Sequence, residues 1–219
     1  MGWYADNIFP HLMEWVMGKE EFQRQRREAL AGASGAVLEI GLGTGLNLPH
    51  YPARVTWLTA VDPRPQLPAL VEARSVGLSF PVEILRLNAE RLPFEDARFD
   101  CVVSTWTLCT IPNVLAALTE VRRVLKPGGS FLFLEHGRSE DPKIARWQDW
   151  LTPVQKLVAC GCHLNRRMDE LIRAAGFSID LLERYQMEGV PKPGGAMYRG
   201  RAVPTTTAMR PPIKAASGL

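Results

Sequence analysis

An acidic residue followed by three glycines is the part of this sequence best suited to hold a ligand. The apolar run VLEIGLGTGLN places Glu39 just before Gly41, Gly43 and Gly45. Glycine has no Cβ, so the backbone at these positions can approach a ligand closely. A second apolar run ends at Asp62, 21 positions beyond Gly41. A carboxylate placed there can accept hydrogen bonds from both hydroxyl groups of a ribose.

The spacing of the glycines and the charge beside them separate the possible nucleotide ligands. Folds that bind dinucleotides favour G-x-G-x-x-G, with a pyrophosphate at a helix N-terminus. Here the pattern is E-x-G-x-G-x-G, and the Glu39 carboxylate would repel an anion and attract a cation. S-adenosylmethionine carries a sulfonium and an ammonium group and no phosphate. The pattern therefore favours S-adenosylmethionine, and it resembles the first motif of the class I methyltransferases.

Further motifs downstream extend this resemblance. Asn88, Ala89 and Glu90 follow the third predicted strand, where methyltransferases of this class hold the edge of the adenine ring. The resemblance implies that Ala89 offers its backbone and that Asn88 or Glu90 offers a side chain. The predicted cofactor-binding residues are Glu39, Gly41, Gly43, Gly45, Asn47, Asp62, Pro63, Asn88, Ala89, Glu90 and Thr105.

Histidines supply the candidate catalytic bases. A thiol or amine acceptor must lose its proton before it is methylated, so a nearby base would help. The candidates are His136 at the end of predicted strand five, His163 in a later loop and His11 near the N-terminus. Each could instead be structural; His136, for example, could bond to the strand ends.

Apolar and aromatic side chains would form the walls of the acceptor pocket. Such walls exclude water, and aromatic rings attract a sulfonium through cation–π contacts. Tryptophans at helical spacing can equally belong to a core. The predicted substrate pocket consists of Trp106, Leu108, Cys109, Trp147 and Trp150.

A short cysteine-containing stretch raises the question of a metal site. Cys160, Cys162 and His163 form the sequence C-x-C-H, which lacks the second ligand pair of a structural zinc site. We therefore expect no metal ion. The four cysteines are scattered and no signal peptide is recognised, which predicts reduced thiols and a cytoplasmic protein.

A longer set of matched segments lies within residues 37–166. These segments are Glu39 to Asn47, Tyr51-Pro52, Asp62-Pro63, Leu108-Cys109, Leu125 to Gly129, Glu135-His136, Trp147 and Cys162 to Arg166. Together they resemble the methyltransferase-like 7 group, the alkyl thiol S-methyltransferases of animals, and their bacterial relatives. The resemblance implies methylation of a small thiol such as sulfide, methanethiol or an alkyl thiol. The animal enzymes carry an N-terminal hydrophobic anchor, which is not matched here.

Other functions remain open alternatives. Related bacterial sequences also resemble enzymes that methylate the amine of a lipid or the carbon of a quinone. A protein that binds S-adenosylmethionine without catalysis would show the same glycine motif. A nicotinamide-dependent dehydrogenase is disfavoured by the glycine spacing.

The elements that must position these residues alternate between strands and helices. Five such alternations followed by a strand pair predict an α/β fold, a doubly wound, seven-stranded, mainly parallel sheet of the Rossmann-like methyltransferase type. Ligands in such sheets bind at the carboxyl ends of the strands. Gly41, Asp62, Asn88, Thr105 and His136 stand at those ends and should meet in one crevice.

The regions outside the strands complete the predicted organisation. Residues 1–34 predict a helical lid, broken near Gly18; helices packed permanently on the sheet are an equal alternative, and a membrane-surface helix is a weaker one. Residues 35–204 form the predicted methyltransferase core, with a helix expected directly after the glycines and a helical insertion at about 141–175. The last helix of the insertion is expected to be capped by Asn165 and to run through Ala175. Residues 205–219, rich in Thr, Pro and Ala, predict a disordered tail.

Composition limits the possible partners. The chain has 219 residues, of which 46% are hydrophobic and 22% charged, typical of a globular protein. A net charge of +3 without a lysine-rich run argues against nucleic-acid binding. No transmembrane segment is predicted, so the expected partner is a small-molecule substrate.

Overall fold

A seven-stranded sheet forms the centre of the protein, as the sequence predicted. The structure is a computed structural model that describes residues 2–64 and 66–205. The strands are β1 (Gly35–Ile40), β2 (Val55–Val61), β3 (Val82–Leu85), β4 (Phe99–Thr105), β5 (Leu125–His136), β6 (Phe177–Gln186) and β7 (Ala196–Pro204).

The order of the strands creates a crevice at the middle of the sheet. The order is β3-β2-β1-β4-β5-β7-β6, with β1 to β5 parallel and β7 antiparallel to both of its neighbours. The order along the chain reverses between β1 and β4, which is where ligands bind in such sheets. Ile40 is paired with Ser104, so Gly41 and Thr105 follow at the same edge. The predicted fold class is confirmed.

Helices cover both faces of this sheet, and their starts have local causes. Asn113 caps one helix by accepting a hydrogen bond from the Ala116 amide at 3.2 Å, and Asp141 caps another by accepting from Lys143 at 2.8 Å. The helices are α1 (Trp3–Asn7), α2 (Phe9–Met17), α3 (Glu20–Leu30), α4 (Pro68–Ser75), α5 (Val114–Val124), α6 (Pro142–Val158) and α7 (Met168–Ala174), with a short 3-10 helix at Leu48–His50.

Some predicted helix starts are wrong. No α-helix follows the glycines directly: Gly41, Gly43 and Gly45 all have positive φ, so the chain turns there and continues into the short 3-10 helix. Asn165 does not cap a helix, because its side-chain amide donates to Asp149 at 2.9 Å. The helix predicted to begin at Asn165 begins at Met168 instead.

The N-terminal helices are fastened to the glycine turn. On α2, the Glu14 carboxylate accepts a hydrogen bond from the Thr44 hydroxyl at 2.6 Å and pairs with Arg74 of α4. On α1, the Asp6 carboxylate lies 3.4 Å from the guanidinium of Arg64, which is two positions after Asp62 in the chain. The predicted break at Gly18 is confirmed, because α2 ends at Met17. These helices therefore contact the glycine turn at Thr44, the segment after β2 at Arg64, and α4 at Arg74.

The described helices are too short or too polar to cross a bilayer, considering residues 2–64 and 66–205. The tail predicted at 205–219 lies outside the described residues apart from Thr205, whose amide donates to the Gly176 carbonyl oxygen at 2.9 Å.

Candidate active site

The three glycines of the turn after β1 have different structural roles. A Cβ added at Gly41 would lie 2.1 Å from the Thr107 hydroxyl oxygen, so no larger residue fits there. A Cβ added at Gly45 would lie 3.0 Å from Leu48. At Gly43 an added Cβ would meet no atom within 4 Å. Gly43 therefore presents bare backbone to open space, as a ligand cradle requires.

The carboxylate of Asp62 stands beside this open backbone. Its Oδ2 accepts a hydrogen bond from the Gly43 amide at 2.9 Å, and its Oδ1 accepts one from the Arg64 amide at 2.8 Å. A carboxylate has about four lone-pair positions, so about two remain for further donors. Asp62 is thus fixed in orientation and still able to accept bonds from a pair of hydroxyl groups.

A buried polar network lies behind the glycine turn. Asn47 donates to Glu39 at 2.8 Å and to the Thr105 hydroxyl at 3.0 Å. Tyr51 donates to the second Glu39 oxygen at 2.9 Å. The Arg26 guanidinium of α3 donates to Asn47 at 2.7 Å and to Thr105 at 2.9 Å. Side chains from β1, β4, α3 and the glycine turn are therefore held as one unit.

Burial changes the protonation behaviour of the two charged members of this network. Burial raises the pKa of Glu39 to about 7, although hydrogen bonds from Tyr51 and Asn47 act in the opposite direction. Burial lowers the pKa of Arg26 to about 10, and the charges of Glu39 and Glu14 oppose that shift. Arg26 remains a cation at neutral pH, so the site contains a fixed positive charge that the sequence did not predict.

The aromatic ring of Trp106 covers this charge. The Arg26 guanidinium lies 4.8 Å from the centre of the Trp106 ring, and the Phe22 ring packs against the same Trp106 ring with 5.6 Å between centroids. Trp106 has a φ of +49°, a conformation that a bulky side chain rarely adopts. Its strained backbone directly follows β4, at the carboxyl edge of the sheet, where such strain accompanies functional sites.

The loop predicted to hold the adenine edge is stabilised by its own side chains. Ala89 is buried in the core. The Asn88 side chain accepts a hydrogen bond from the Glu90 amide at 3.0 Å, and Glu90 accepts one from the Asn113 amide at 2.8 Å. The loop follows β3, two strands from the glycine turn, as predicted.

The candidate catalytic histidines lie in three different environments. His136 is buried, and its Nε2 lies 3.0 Å from the Cys162 sulfur. His163 is half-buried, with its Nδ1 3.1 Å from the Cys109 carbonyl oxygen. His11 is exposed on α2. The structure thus brings the first two together with the cysteines, and the role of base remains a prediction for all three.

The predicted pocket residues divide into an inner and an outer pair. Trp106 and Cys109 lie at the carboxyl edge beside the buried network. Trp147 and Trp150 lie on the outer surface of α6, 58% and 70% exposed, with their rings in edge-to-face contact. The structure does not bring the outer pair into contact with the network.

Several residues of the site were missed in the sequence. Arg26 lies four residues from both Phe22 and Leu30, which are buried, so a charge within an apolar helix stripe was an available signal. Tyr51 was noted only as part of a motif, and Glu14 and Thr44 carried no local signal.

Comparison with known proteins agrees with this geometry. Residues 38–133 match the model of the Methyltransferase domain family. The chain is 33% identical over 199 residues to the thiol S-methyltransferase TMT1B of Rattus norvegicus, covering 84% of this chain and 79% of that protein. It is 32% identical over 152 residues to the phosphatidylethanolamine N-methyltransferase of Cereibacter sphaeroides, covering 68% and 71% of the two chains.

Solved structures show the same fold at lower identity. A methyltransferase of Thermotoga maritima, described as a possible histamine N-methyltransferase, superposes with a TM-score of 0.68 at 21% identity, covering 91% of this chain and 97% of that one. The chain belongs to the class I S-adenosylmethionine-dependent methyltransferases. Within that class it is a relative of the thiol S-methyltransferases TMT1, and its cofactor is S-adenosylmethionine.

Proposed function

We propose that this methyltransferase transfers the methyl group of S-adenosylmethionine to a small thiol, such as sulfide, methanethiol or an alkyl thiol. The observation that carries the proposal is the likeness to a thiol S-methyltransferase across 84% of the chain. The open backbone at Gly43 and the available oxygens of Asp62 fit the adenosine part of the cofactor. Aromatic and apolar residues around Trp106 fit a small, weakly solvated acceptor.

Each part of the cofactor has a matching group in the proposed complex. Asp62 accepts bonds from the ribose hydroxyls, while Gly43 allows the nucleoside to approach the turn. The loop of Asn88, Ala89 and Glu90 holds the adenine edge. Gly41 and Gly45 shape the turn. Pro63 keeps the backbone of the preceding residue, Asp62, in an extended conformation.

The amino-acid part of the cofactor carries a positive ammonium group and a negative carboxylate. The buried network contains a positive side chain, Arg26, and an acidic one, Glu39. Arg26, a cation whose Nε has no partner among the described residues, suits the carboxylate of the methionine part. Glu39 already accepts bonds from Asn47 and Tyr51, so its role is to orient Asn47 and to balance the guanidinium charge. We propose that Arg26 and Asn47 contact the methionine part while Glu39 positions them.

The reaction is an in-line displacement at carbon. The thiolate sulfur forms a bond to the methyl carbon as the bond from that carbon to the sulfonium sulfur breaks, which leaves a neutral thioether on the cofactor. Free thiols are only a few per cent ionised at neutral pH, so removal of the proton contributes to the rate. The lid helices and Trp106 would keep water from the reacting atoms.

A panel of acceptors tests the proposal. Purified protein is incubated with S-adenosylmethionine and sulfide, methanethiol or a hydrophobic thiol, and mass spectrometry follows the methylated product and S-adenosylhomocysteine. We expect stoichiometric formation of both with at least one thiol. A protein that binds the cofactor but leaves every thiol unmethylated would disprove the thiol assignment.

A lipid amine is the second candidate acceptor, and the surface of α6 favours it. The buried residues of this helix include Gln148 and Thr152, whereas Trp147, Trp150, Val154, Leu157 and Val158 are exposed. Tyr4 of α1 donates to the Val158 carbonyl oxygen at 3.0 Å, so α1 lies beside the same surface. We name this surface the tryptophan face. It comprises Trp3, Trp147, Trp150, Val154, Leu157 and Val158, whose side chains are each 50–81% exposed.

Basic residues border the tryptophan face. Lys143 and Arg146 lie beside the two tryptophans of α6. Exposed tryptophans beside cationic side chains suit the interface of an anionic bilayer, where a lipid acceptor would be presented. The chain is also similar to a phosphatidylethanolamine N-methyltransferase.

Vesicle binding distinguishes the two candidates. If the acceptor is a lipid, the protein should sediment with phosphatidylglycerol vesicles more than with phosphatidylcholine vesicles. Replacement of Trp147 and Trp150 by Ala should abolish this binding. Trp57→Ala, at an exposed position on β2, is the matched control and should bind as the wild type does. Absence of vesicle binding, together with methylation of thiols, would exclude the lipid candidate.

A further inference from the structure

Two cysteines and a histidine from three separate segments meet beside the candidate active site. Cys109 lies in the loop after β4, His136 ends β5, and Cys162 follows α6. Their sulfur and ring nitrogen atoms all lie within 4.8 Å of one another, and all three residues are buried. We call these three residues the cysteine–histidine cluster. Within residues 2–64 and 66–205, no other such group of three meets this distance criterion.

The surrounding backbone holds the cluster in this arrangement. After α6 the chain turns through Cys160 and Gly161, which have φ of +50° and +100°. This turn directs the chain back so that the His163 amide donates to the Cys109 carbonyl oxygen at 2.9 Å. Arg166 also bonds to the Leu108 carbonyl oxygen. These contacts bring Cys162 and Cys109 together without a disulfide, since both cysteines are free thiols.

The hydrogen bonding of the cluster is incomplete. The Nε2 atom of His136 lies 3.0 Å from the Cys162 sulfur, and its Nδ1 atom is buried without a partner among the described residues. Nδ1 is not the nitrogen in contact with Cys162, so the positions of the three ligand atoms, and not this unpartnered nitrogen, support a metal. The ring nitrogen that points to Cys162 is the one that a metal would bind.

We propose that the cysteine–histidine cluster binds a thiophilic divalent cation, zinc in the cell, through Cys109, His136 and Cys162. Two thiolates and a neutral imidazole balance the charge of Zn²⁺, so the buried site carries no net charge. Sulfur ligands also disfavour magnesium and calcium, which prefer oxygen.

The observed distances fit one ion with little movement. Zinc lies about 2.3 Å from sulfur and about 2.0–2.1 Å from nitrogen, so ligand atoms around it stand about 3.5–4 Å apart. The Nε2 atom of His136 lies 3.0 Å from the Cys162 sulfur, and all three ligand atoms lie within 4.8 Å of one another. Three protein ligands leave a fourth tetrahedral position for water or another small ligand.

This site differs from both roles that the sequence suggested. Cys160 and His163 of the C-x-C-H stretch are not members, and Cys162 finds its partners 26 and 53 positions earlier in the chain, at His136 and Cys109. His136 becomes a metal ligand in place of a proton acceptor. The inference stands independently of the identity of the methyl acceptor.

Cobalt is a suitable probe, because Co²⁺ reports its ligands through its colour. The full-length protein is kept reduced, freed of metal with a chelator, dialysed and titrated with Co²⁺. We expect one equivalent per chain, with the charge-transfer band of a thiolate complex and the intense visible bands of a tetrahedral site. Added Zn²⁺ should bleach both.

Variants identify the ligands. Cys109→Ser and Cys162→Ser should each weaken Co²⁺ binding by about a hundredfold or more, and His136→Gln should weaken it similarly. Cys160→Ser is the control and should bind like the wild type. The proposal fails if reduced wild-type protein gives no thiolate band, or if only Cys160→Ser removes it. The wild-type titration decides the matter even if a cluster variant does not fold.

Discussion

Asp62 links the glycine turn to the second strand before any cofactor binds. Its two oxygens accept bonds from Gly43 and Arg64, so the carboxylate needs little reorganisation to receive the ribose. Replacing it with Ala should weaken S-adenosylmethionine binding by about 1–3 kcal/mol, because charged hydrogen bonds to the ligand are lost. Isothermal titration calorimetry measures the change.

Asp96→Ala is the matched control for this prediction. Asp96 is an exposed acid that pairs with Arg123. Its removal should leave the dissociation constant unaltered. An unchanged constant for Asp62→Ala as well would remove Asp62 from the site.

The raised pKa of Glu39 predicts that the free energy of unfolding depends on pH. Its pKa is raised to about 7 in the folded protein from an ordinary value of 4.5, so the folded state binds more protons than the unfolded state between these values. The contribution of Glu39 to stability therefore falls as the pH rises from about 4.5 to about 7, and stays low above it.

Glu39→Gln removes this titration and keeps the shape of the side chain. The melting temperature of the variant, relative to wild type, should be higher at about pH 8 than at about pH 5, because the variant avoids the cost of a buried carboxylate. Thermal unfolding across this pH range measures the difference. Parallel curves for the two proteins would mean that Glu39 does not titrate with a raised pKa.

Individual site residues were predictable where function leaves a local pattern. Glu39, the glycines and Asp62 follow one another at strand ends, so their spacing in the sequence reflects their positions in space. Arg26 and Tyr51 reach the same network from different elements, and their contribution depends on how α3 packs on the sheet. Spacing along the chain contains little of that information.

At the scale of elements, the Glu14 side chain fastens α2, part of the predicted lid, to the rest of the structure. Glu14 joins it to the glycine turn through Thr44 and to α4 through Arg74. Glu14→Ala should reduce the free energy of opening this helix by about 1–2 kcal/mol and speed amide exchange in α1 and α2 by roughly five- to thirtyfold. Hydrogen–deuterium exchange with mass spectrometry measures the effect.

Glu20→Ala provides the comparison for the lid. Glu20 is exposed and pairs only with Arg27 on its own helix, so exchange in α2 should not change. Equal exchange in Glu14→Ala and wild type would show that Glu14 does not fasten the lid.

Elements with strong periodicity were predicted well, and turns were not. Each apolar run preceding a site residue became a strand of the sheet. The helix expected straight after Gly45 is absent because three positive-φ residues direct the chain into turns. The start of α7 was misplaced because Asn165 bonds to Asp149 on another helix, a tertiary contact that competes with capping.

At the scale of the whole molecule, β5 contributes to the core on both faces of the sheet, with Phe131 and Phe133 in one cluster and Leu132 in the other. Phe131 is fully buried, and its ring lies 5.8 Å from Phe133 and 5.6 Å from Phe177. Phe131→Ala should lower the free energy of unfolding by about 3–5 kcal/mol, because a large cavity replaces the ring. Chemical denaturation measures the loss.

Leu115→Ala on the exposed side of α5 is the control and should change stability by at most about 0.5 kcal/mol. A small effect at Phe131 would mean that the core relaxes around the vacancy.

The class of fold followed from the alternation of elements, whereas the position of β7 did not. Parallel strands separated by helices allow few arrangements. Insertion of β7 between β5 and β6 depends on pairing between distant segments, such as Phe131 with Ala202, which no local pattern specifies.

The direction of β7 also decides how the protein can be attached to a support. Met197 pairs with His136 at the carboxyl edge, and Ala202 pairs with Phe131 farther from it, so the chain runs away from the crevice towards Pro204. A tether joined beyond Pro204 would leave from the side opposite the mouth of the crevice. Immobilisation at that end should leave turnover unimpaired, whereas a graft ahead of Trp3 would strain the helices that contact Thr44 and Arg64.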